Sequence, residues 1–408
     1  MPSSFWRWVE QTLRSDISKH KVRLIFGARQ TGKSTLLQRL APADAIFINL
    51  QSRRERLRFE RGEEELLRML RAERKSRTVL IDEIQKAPAL LDDIQLLYDE
   101  NPEKFEFFLT GSSARKLRTS AANLLPGRAH QYHLFPLILA EREGFGPSET
   151  LPVPDERPSL QGFPTSDIES MLICGNLPGI SLEADLTRKA TLESYAEIYV
   201  EEEIRREALV RNIGAFSRFL ELAALESGQV MNLSGLSQQS GIPIATLRAF
   251  YQVLVDTFIG FWLQPFAGRT RRRLLTTPMF YFFDQGVRNA LAGIPLTKES
   301  LRLQAGTLFQ QWAVTELWRR CGYLGRGYRL HFWRSVSGAE VDMVLETPEE
   351  AIPIEVKWTE NPRGTDARHL ISFLKTYPAQ ARRGYIVCRC PHRLQISDQV
   401  TAIPWQKM

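Results

Sequence analysis

The run Gly27-Ala28-Arg29-Gln30-Thr31-Gly32-Lys33-Ser34 fits G-x-x-x-x-G-K-[ST] without a departure. Glycines at both ends of such a loop let consecutive backbone N–H groups turn inward around phosphate oxygens. Lys33 is placed to reach the β and γ oxygens and Ser34 to ligate Mg²⁺. The candidate binding residues for ATP and Mg²⁺ are therefore Gly27, Gln30, Thr31, Gly32, Lys33, Ser34 and Thr35. A second chemical signal is the acidic pair Asp82-Glu83. Asp82 would hold Mg²⁺ through water or Ser34, and Glu83 would orient and polarise the attacking water. Thr110 or Ser112, in Thr110-Gly111-Ser112-Ser113, could read the γ-phosphate. Arg115 and Arg128 could reach phosphate within the subunit or across an interface, and the sequence does not choose between them.

These groups need a scaffold that brings distant segments to one edge. Residues 22–26, Val-Arg-Leu-Ile-Phe, read as a short strand that enters the loop, and a helix opens at Thr35. Thr78 to Ile81 is nearly all apolar, as a strand buried on both faces of a parallel sheet should be, and it delivers Asp82-Glu83 at its end. A third strand over Phe105–Leu109 delivers Thr110. The expectation is an α/β parallel sheet over residues 1–150.

The order GARQTGKST, VLIDEIQKAP, FFLTGSSARKLR, LLPGR and HLFPL resembles the prokaryotic AAA-type ATPases that carry a C-terminal DUF4143 domain. The resemblance covers nearly the whole chain. The phosphate loop and the acidic pair are generic to nucleotide hydrolases, whereas FLTGSS and GR-x(5)-L-x-P-L are more specific to that group. It implies an additional-strand P-loop fold and a homo-oligomer, in a ring or partial ring, a hexamer being one such form.

Residues 144–165 break all periodicity with glycines and prolines, which reads as a linker. Over 151–210 we expect that linker followed by a helical lid, interrupted at Cys174-Gly175-Asn176-Leu177-Pro178-Gly179. Over 211–290 the order is helix, short helix, the turn Ser240-Gly241-Ile242-Pro243, helix, strand, basic loop, strand, which reads as a winged-helix domain. Arg248 would lie on the recognition helix and Arg269, Arg271, Arg272 and Arg273 on the wing, facing a DNA backbone. A solvated basic loop or a protein-binding winged helix is the competing reading.

Residues 291–408 are expected to form a separate α/β domain. Glu316 on a helix, Asp342 on one hairpin strand, and Glu355-x-Lys357 on the next resemble the PD-(D/E)XK nucleases, the restriction-endonuclease-like fold shared with archaeal Holliday-junction resolvases. Residues two apart on a strand share a face, so Glu355 and Lys357 would meet Asp342. Glu316, Asp342 and Glu355 would hold Mg²⁺ or Mn²⁺ while Lys357 activates water. Val341 stands where the nuclease motif often has proline.

The 408 residues are too many for one ordinary core. The charge of +7 mildly favours phosphate backbones. No run of eighteen apolar residues occurs, the start lacks the order of a secretory signal, and Cys174, Cys321, Cys388 and Cys390 form no C-x-x-C pair. The expectation is a cytoplasmic protein with reduced thiols and no membrane partner. The leading function is an ATP-driven motor acting on branched or single-stranded DNA. A signalling-type nucleotide switch and an ATP-gated metal-dependent nuclease are the alternatives.

Overall fold

The computed structural model describes residues 5–408 apart from 16, 18, 63, 114–124, 145–166, 197–212, 269–276, 326 and 336–337. The chain forms two compact units: residues 1–137 with 177–179 and 252–259, and residues 138–176 with 180–251 and 260–408.

The first unit contains a five-stranded parallel sheet. Its strands are β1 (Val22–Phe26), β2 (Ile46–Asn49), β3 (Arg77–Asp82), β4 (Phe105–Gly111) and β5 (Ala129–His133), in the order β2-β3-β4-β1-β5. Every residue of β1 is buried, Arg23 included, as is β4 apart from Glu106, which is why these segments read as mostly apolar. The edge strand β2 is short and half-exposed, and the sequence reading passed over it. The helices are α1 (Trp8–Arg14), α2 (Lys33–Leu40), α3 (Arg53–Arg61), α4 (Glu65–Arg71) and α5 (Leu90–Glu100). Leu66, Leu67 and Leu70 of α4 and Leu90, Leu91, Ile94 and Leu97 of α5 join Val79, Ile81, Phe107 and Leu109 in one core. Their spacing is that of an amphipathic helix with one apolar stripe.

Because β4 inserts between β1 and β3, the carboxyl ends of three neighbouring strands open on one edge. That edge is where open α/β sheets bind ligands.

The second unit holds α6 (Leu139–Arg142), α7 (Ile168–Cys174), α8 (Asp185–Ser194), α9 (Ile213–Leu225), α10 (Leu233–Ser240), most of α11 (Ile244–Asp256), α12 (Gln285–Leu291), α13 (Lys298–Leu324) and α14 (Arg368–Thr376). Its strands are β6 (Gly260–Pro265), β7 (Met279–Phe282), β8 (Arg329–Arg334), β9 (Glu340–Glu346), β10 (Ala351–Val356), β11 (Gly384–Cys388), β12 (Leu394–Ser397) and β13 (Val400–Pro404). They form a sheet in the order β12-β13-β11-β10-β9-β8-β6-β7. The pairs β8/β9 and β9/β10 are antiparallel, and β10/β11 and β11/β13 are parallel. Helix α14 makes the crossover from β10 to β11, burying Leu370, Phe373 and Leu374 against Val344 and Ile386.

Two structural relationships bear on the organisation of residues 151–408. The helices expected as a lid on the nucleotide fold belong to the second unit. Asn289 Nδ2 of α12 donates to the carbonyls of Leu172 and Ile173 on α7 at 2.9 and 3.0 Å, and Asp284 Oδ2 accepts from Asn176 N at 2.7 Å. The stretches 211–290 and 291–408 share a sheet, because β6 pairs in parallel with β8 through Gln264↔His331 and Pro265↔Phe332. Backbone pairing across sequence distance leaves no periodicity signal.

All four cysteines are free and buried. Among the described residues, no helix is long and apolar enough to cross a membrane.

Candidate functional site

The phosphate loop leaves β1 where only a glycine fits. A Cβ on Gly27 would lie 2.2 Å from the carbonyl oxygen of Leu134. At the other end Gly32 has φ 94° and starts α2, while Gln30 holds φ 59°. Thr31 Oγ1 donates to Ala28 O at 2.8 Å, closing the loop on itself. The Lys33 ammonium is buried and lies across the loop, donating to Gly27 O at 2.8 Å and Ala28 O at 2.9 Å.

Asp82 ends β3 with both carboxylate oxygens engaged. Ser34 Oγ donates to Oδ2 at 2.7 Å, Gln51 Nε2 to the same oxygen at 3.1 Å, and Thr110 Oγ1 to Oδ1 at 2.5 Å. Hydroxyl and carboxylate thus face one another beside the loop, the donor set a hard cation such as Mg²⁺ takes. The residues present fit Mg²⁺ bound with a nucleotide, with Ser34 and Asp82 as its protein side.

Glu83 adopts the left-handed conformation, φ 63°, and its N–H donates to Thr110 Oγ1 at 3.1 Å. Its carboxylate oxygen Oε2 accepts from Gln85 Nε2 at 2.5 Å and from Ser112 Oγ at 2.9 Å. Gln85 Nε2 also donates to Ser112 Oγ at 2.8 Å. Thr110 therefore spends its proton on Asp82 and its lone pair on the Glu83 N–H, and Ser112 is the hydroxyl attached to the Glu83 carboxylate. Gln85 was not among the sequence candidates. Its spacing two residues after Glu83, in a one-turn 3₁₀ helix over Ile84–Lys86, was the available signal.

Arg128 does not join this group. Val22 N donates to Arg128 O at 3.0 Å, which places Arg128 at the amino end of β1 and β5. Five residues of strand put about 16 Å between that end and the loop. Its guanidinium is held by both oxygens of Asp99 at 2.6 and 2.9 Å, which keeps its pKa above the ordinary arginine value. Arg115 lies outside the described residues.

A family model described as an AAA domain matches residues 19–143, and one described as DUF4143, a domain of unknown function, matches residues 305–408. The chain carries an AAA domain and a DUF4143 domain. Residues 165–298, between them, match DUF8612, also a domain of unknown function. Two relatives, uncharacterized proteins of Mycobacterium tuberculosis and Mycobacterium bovis, are each 24% identical over 395 residues, 96% of this chain and 82% of theirs. An uncharacterized protein of Haemophilus influenzae is 21% identical over 367 residues, 85% of each chain. Among solved structures, a DNA polymerase III gamma subunit-related protein from Thermotoga maritima is 11% identical, covers 62% of this chain and 99% of its own, and superposes with a TM-score of 0.24. A Vibrio cholerae protein, also 11% identical, covers 95% of both chains with a TM-score of 0.16. Likeness at that level has no weight for fold or function. The AAA domain makes the first unit an ATPase domain, and the loop, Asp82 and Glu83 all fall within residues 19–143.

In the DUF4143 domain the structure brings Asp342, Glu355 and Lys357 together but not Glu316. Asp342 Oδ2 accepts from Val356 N at 2.8 Å and Oδ1 from Gln310 Nε2 at 2.7 Å. Lys357 Nζ lies 2.7 Å from Glu355 Oε1, while Glu355 Oε2 is buried without a hydrogen-bond partner among the described residues. Asp342 keeps a small accessible edge, yet the protein around it removes most of its hydration. That loss, added to repulsion from Glu355, pushes its carboxyl up to about 8. Burial raises Glu355 as well, against the pull of Lys357. For Lys357 burial acts downward, but Glu355 and Asp342 outweigh it and the ammonium titrates above its ordinary value.

Glu316 is fully buried elsewhere on α13. It accepts from Leu139 N at 2.9 and 3.1 Å and pairs with Arg320 at 2.7 Å. Six residues along a helix turn about 240° from Gln310, so the two point to different sides. The helix does supply a side chain to Asp342, but it is an amide. Among the described residues, no group of three or more His, Cys, Asp or Glu is placed to hold a metal.

Arg248 is exposed on α11. Arg269, Arg271, Arg272 and Arg273 lie outside the described residues.

Proposed function

We propose that the chain hydrolyses ATP and uses that hydrolysis to act on DNA, branched or single-stranded, as a homo-oligomer. The observation that carries the hydrolytic part is the division of labour between adjacent carboxylates. Asp82 is committed to Ser34 beside the phosphate loop, and Glu83 is held by Ser112 and Gln85 at the end of the neighbouring strand. Bound Mg²⁺ would neutralise charge on the β and γ oxygens. Lys33 would exchange its loop carbonyls for those oxygens, Ser34 and Asp82 would fix the metal side, and Glu83 would take the proton of the attacking water. Ser112, already on Glu83, is the hydroxyl best placed to report the terminal phosphate.

Support for DNA comes from the second unit. Helices α9, α10 and α11 followed by the antiparallel pair β6 and β7 occur in the order of a winged helix, with Arg248 exposed on the third helix. The order α13, β8, β9, β10, α14, β11 is that of the restriction-endonuclease-like core, with Asp342, Glu355 and Lys357 converging as its motif requires. The displacement of Glu316 leaves two carboxylates there, which favours DNA engagement over an efficient two-metal nuclease.

The test is steady-state ATP hydrolysis by wild type and Glu83→Gln without DNA, and with duplex, single strand and four-way junction, inspecting the same DNAs for cuts. Several-fold stimulation by one DNA form, falling with salt, supports the motor. Slow hydrolysis indifferent to every DNA sinks it in favour of a nucleotide switch.

A further inference from the structure

Arg7 immediately precedes α1, and its side chain is buried at 4% exposure beside the phosphate loop. One guanidinium nitrogen donates to Thr31 O at 2.7 Å and another to Phe135 O at 2.5 Å. The first of these nitrogens lies 3.6 Å from where a Cβ on Gly32 would stand. The segment carrying it is fastened to α2. Arg7 N donates to Glu10 Oε1 at 3.0 Å, and Glu10 pairs with Arg39 at 3.3 Å.

A phosphate loop binds only when its N–H groups face inward, and those groups belong to peptide units that can rotate as a whole. In a trans peptide the carbonyl and the N–H point in opposite directions. A donor from another segment that grips Thr31 O therefore sets the direction of the Gly32 N–H, which points away from Arg7. The flanking residues make that grip necessary, since Gln30 at φ 59° and Gly32 at φ 94° are both left-handed. For a non-glycine residue such a conformation persists only where its surroundings hold it.

We propose that Arg7 is a positioning residue of the nucleotide site: it locks the Thr31–Gly32 peptide so that the Gly32 N–H faces the phosphates of a nucleoside di- or triphosphate. This rests on the reading that the loop binds nucleotide. The second bond, to Phe135 O, fixes the guanidinium itself by tying it to the chain just beyond β5. The planar fork is what spans two carbonyls, so a lysine, with a compact charge, keeps one of them at most.

The experiment measures the Kd of ADP and of a non-hydrolysable ATP analogue with Mg²⁺, and steady-state ATPase, for full-length wild type, Arg7→Ala and Arg7→Lys. In Arg7→Ala, Kd for both nucleotides and KM for ATP rise together by about tenfold, the scale of one charge-assisted hydrogen bond. Its kcat stays near wild type, Arg7→Lys falls between, and millimolar guanidinium restores part of the lost affinity in Arg7→Ala. That rescue separates positioning from lost folding, because a denaturing cation does not repair a misfolded unit. Unchanged affinity in Arg7→Ala, a fall in kcat alone, or affinity loss that guanidinium leaves untouched overturns the inference. A wild-type chain that binds neither nucleotide overturns the reading of the loop itself, and the inference with it.

Discussion

Ser112 Oγ donates to Glu83 Oε2 at 2.9 Å, so the hydroxyl at the end of β4 is joined to the carboxylate at the end of β3. Gln85 Nε2 reaches the same oxygen at 2.5 Å. Two donors on one oxygen fix the orientation of the carboxylate. Ser112→Ala and Gln85→Met are each expected to lower kcat about tenfold with KM for ATP little changed, since misplacing a base by about 1 Å is costly. Glu83→Gln is expected to lower kcat about 100-fold or more while ATP still binds. Steady-state kinetics checks all three, and full turnover in Glu83→Gln removes its assigned role.

Thr110 is the structural partner of the acidic pair. Its hydroxyl donates to Asp82 and accepts from the Glu83 N–H, and all three residues are buried. Thr110→Val keeps the shape but leaves a buried acceptor and a buried donor without this partner. A loss of about 1–3 kcal/mol in stability is expected, read from urea unfolding of the full chain followed through the first unit. A variant as stable as wild type would show that Ser34 and Gln51 suffice.

Glu316 is expected to behave as a fold residue. Glu316→Gln leaves Arg320 buried beside a neutral amide, and breaking such a pair costs about 3–5 kcal/mol. The melting temperature should fall whether or not Mg²⁺ or Mn²⁺ is present. A variant of wild-type stability that loses metal-dependent DNA cutting would return Glu316 to the metal site.

Asp342 gives the second unit a pH dependence of definite sign. Its carboxyl titrates near 3.8 in an ordinary setting and about 8 in the folded chain. Between pH 3.8 and about 8 the folded chain therefore holds a proton that the unfolded chain has released. The stability this contributes is full below pH 3.8 and is lost as pH rises through about 8. Asp342→Asn removes the part of that loss that Asp342 contributes, leaving whatever Glu355, raised by its own burial, adds. Denaturant midpoints compared below and above neutrality should show the variant gaining on wild type at the alkaline end, and parallel curves would refute the raised value.

The nucleotide chemistry was legible because it is local. Gly27 to Ser34 is one turn between one strand and one helix, and Asp82-Glu83 follows directly from a strand whose double burial shows as an apolar run. The C-terminal pair was legible for the same reason, since Glu355 and Lys357 are two residues apart on adjoining backbone. The residues whose placement was not legible are those whose position depends on direction. Glu316 and Gln310 share one helix, and only the angle about its axis says which one meets Asp342. Arg128 sits at the amino end of β5, away from the phosphate loop of its own subunit, which no local pattern encodes.

Composition and motif spacing by themselves determined that this chain has an ATPase loop, its acidic partners, and a later α/β region with a carboxylate-lysine cluster. The tertiary structure alone decided that Ser112 rather than Thr110 meets the Glu83 carboxylate, that Gln85 meets the same oxygen and Arg7 meets Thr31 of the loop, and that β6 joins the C-terminal sheet. The physical reason is range. Backbone conformation and phosphate-binding turns follow from neighbours in sequence, whereas a hydrogen bond between Arg7 and Thr31 or between Gln310 and Asp342 exists only once packing has brought separate segments within 3 Å.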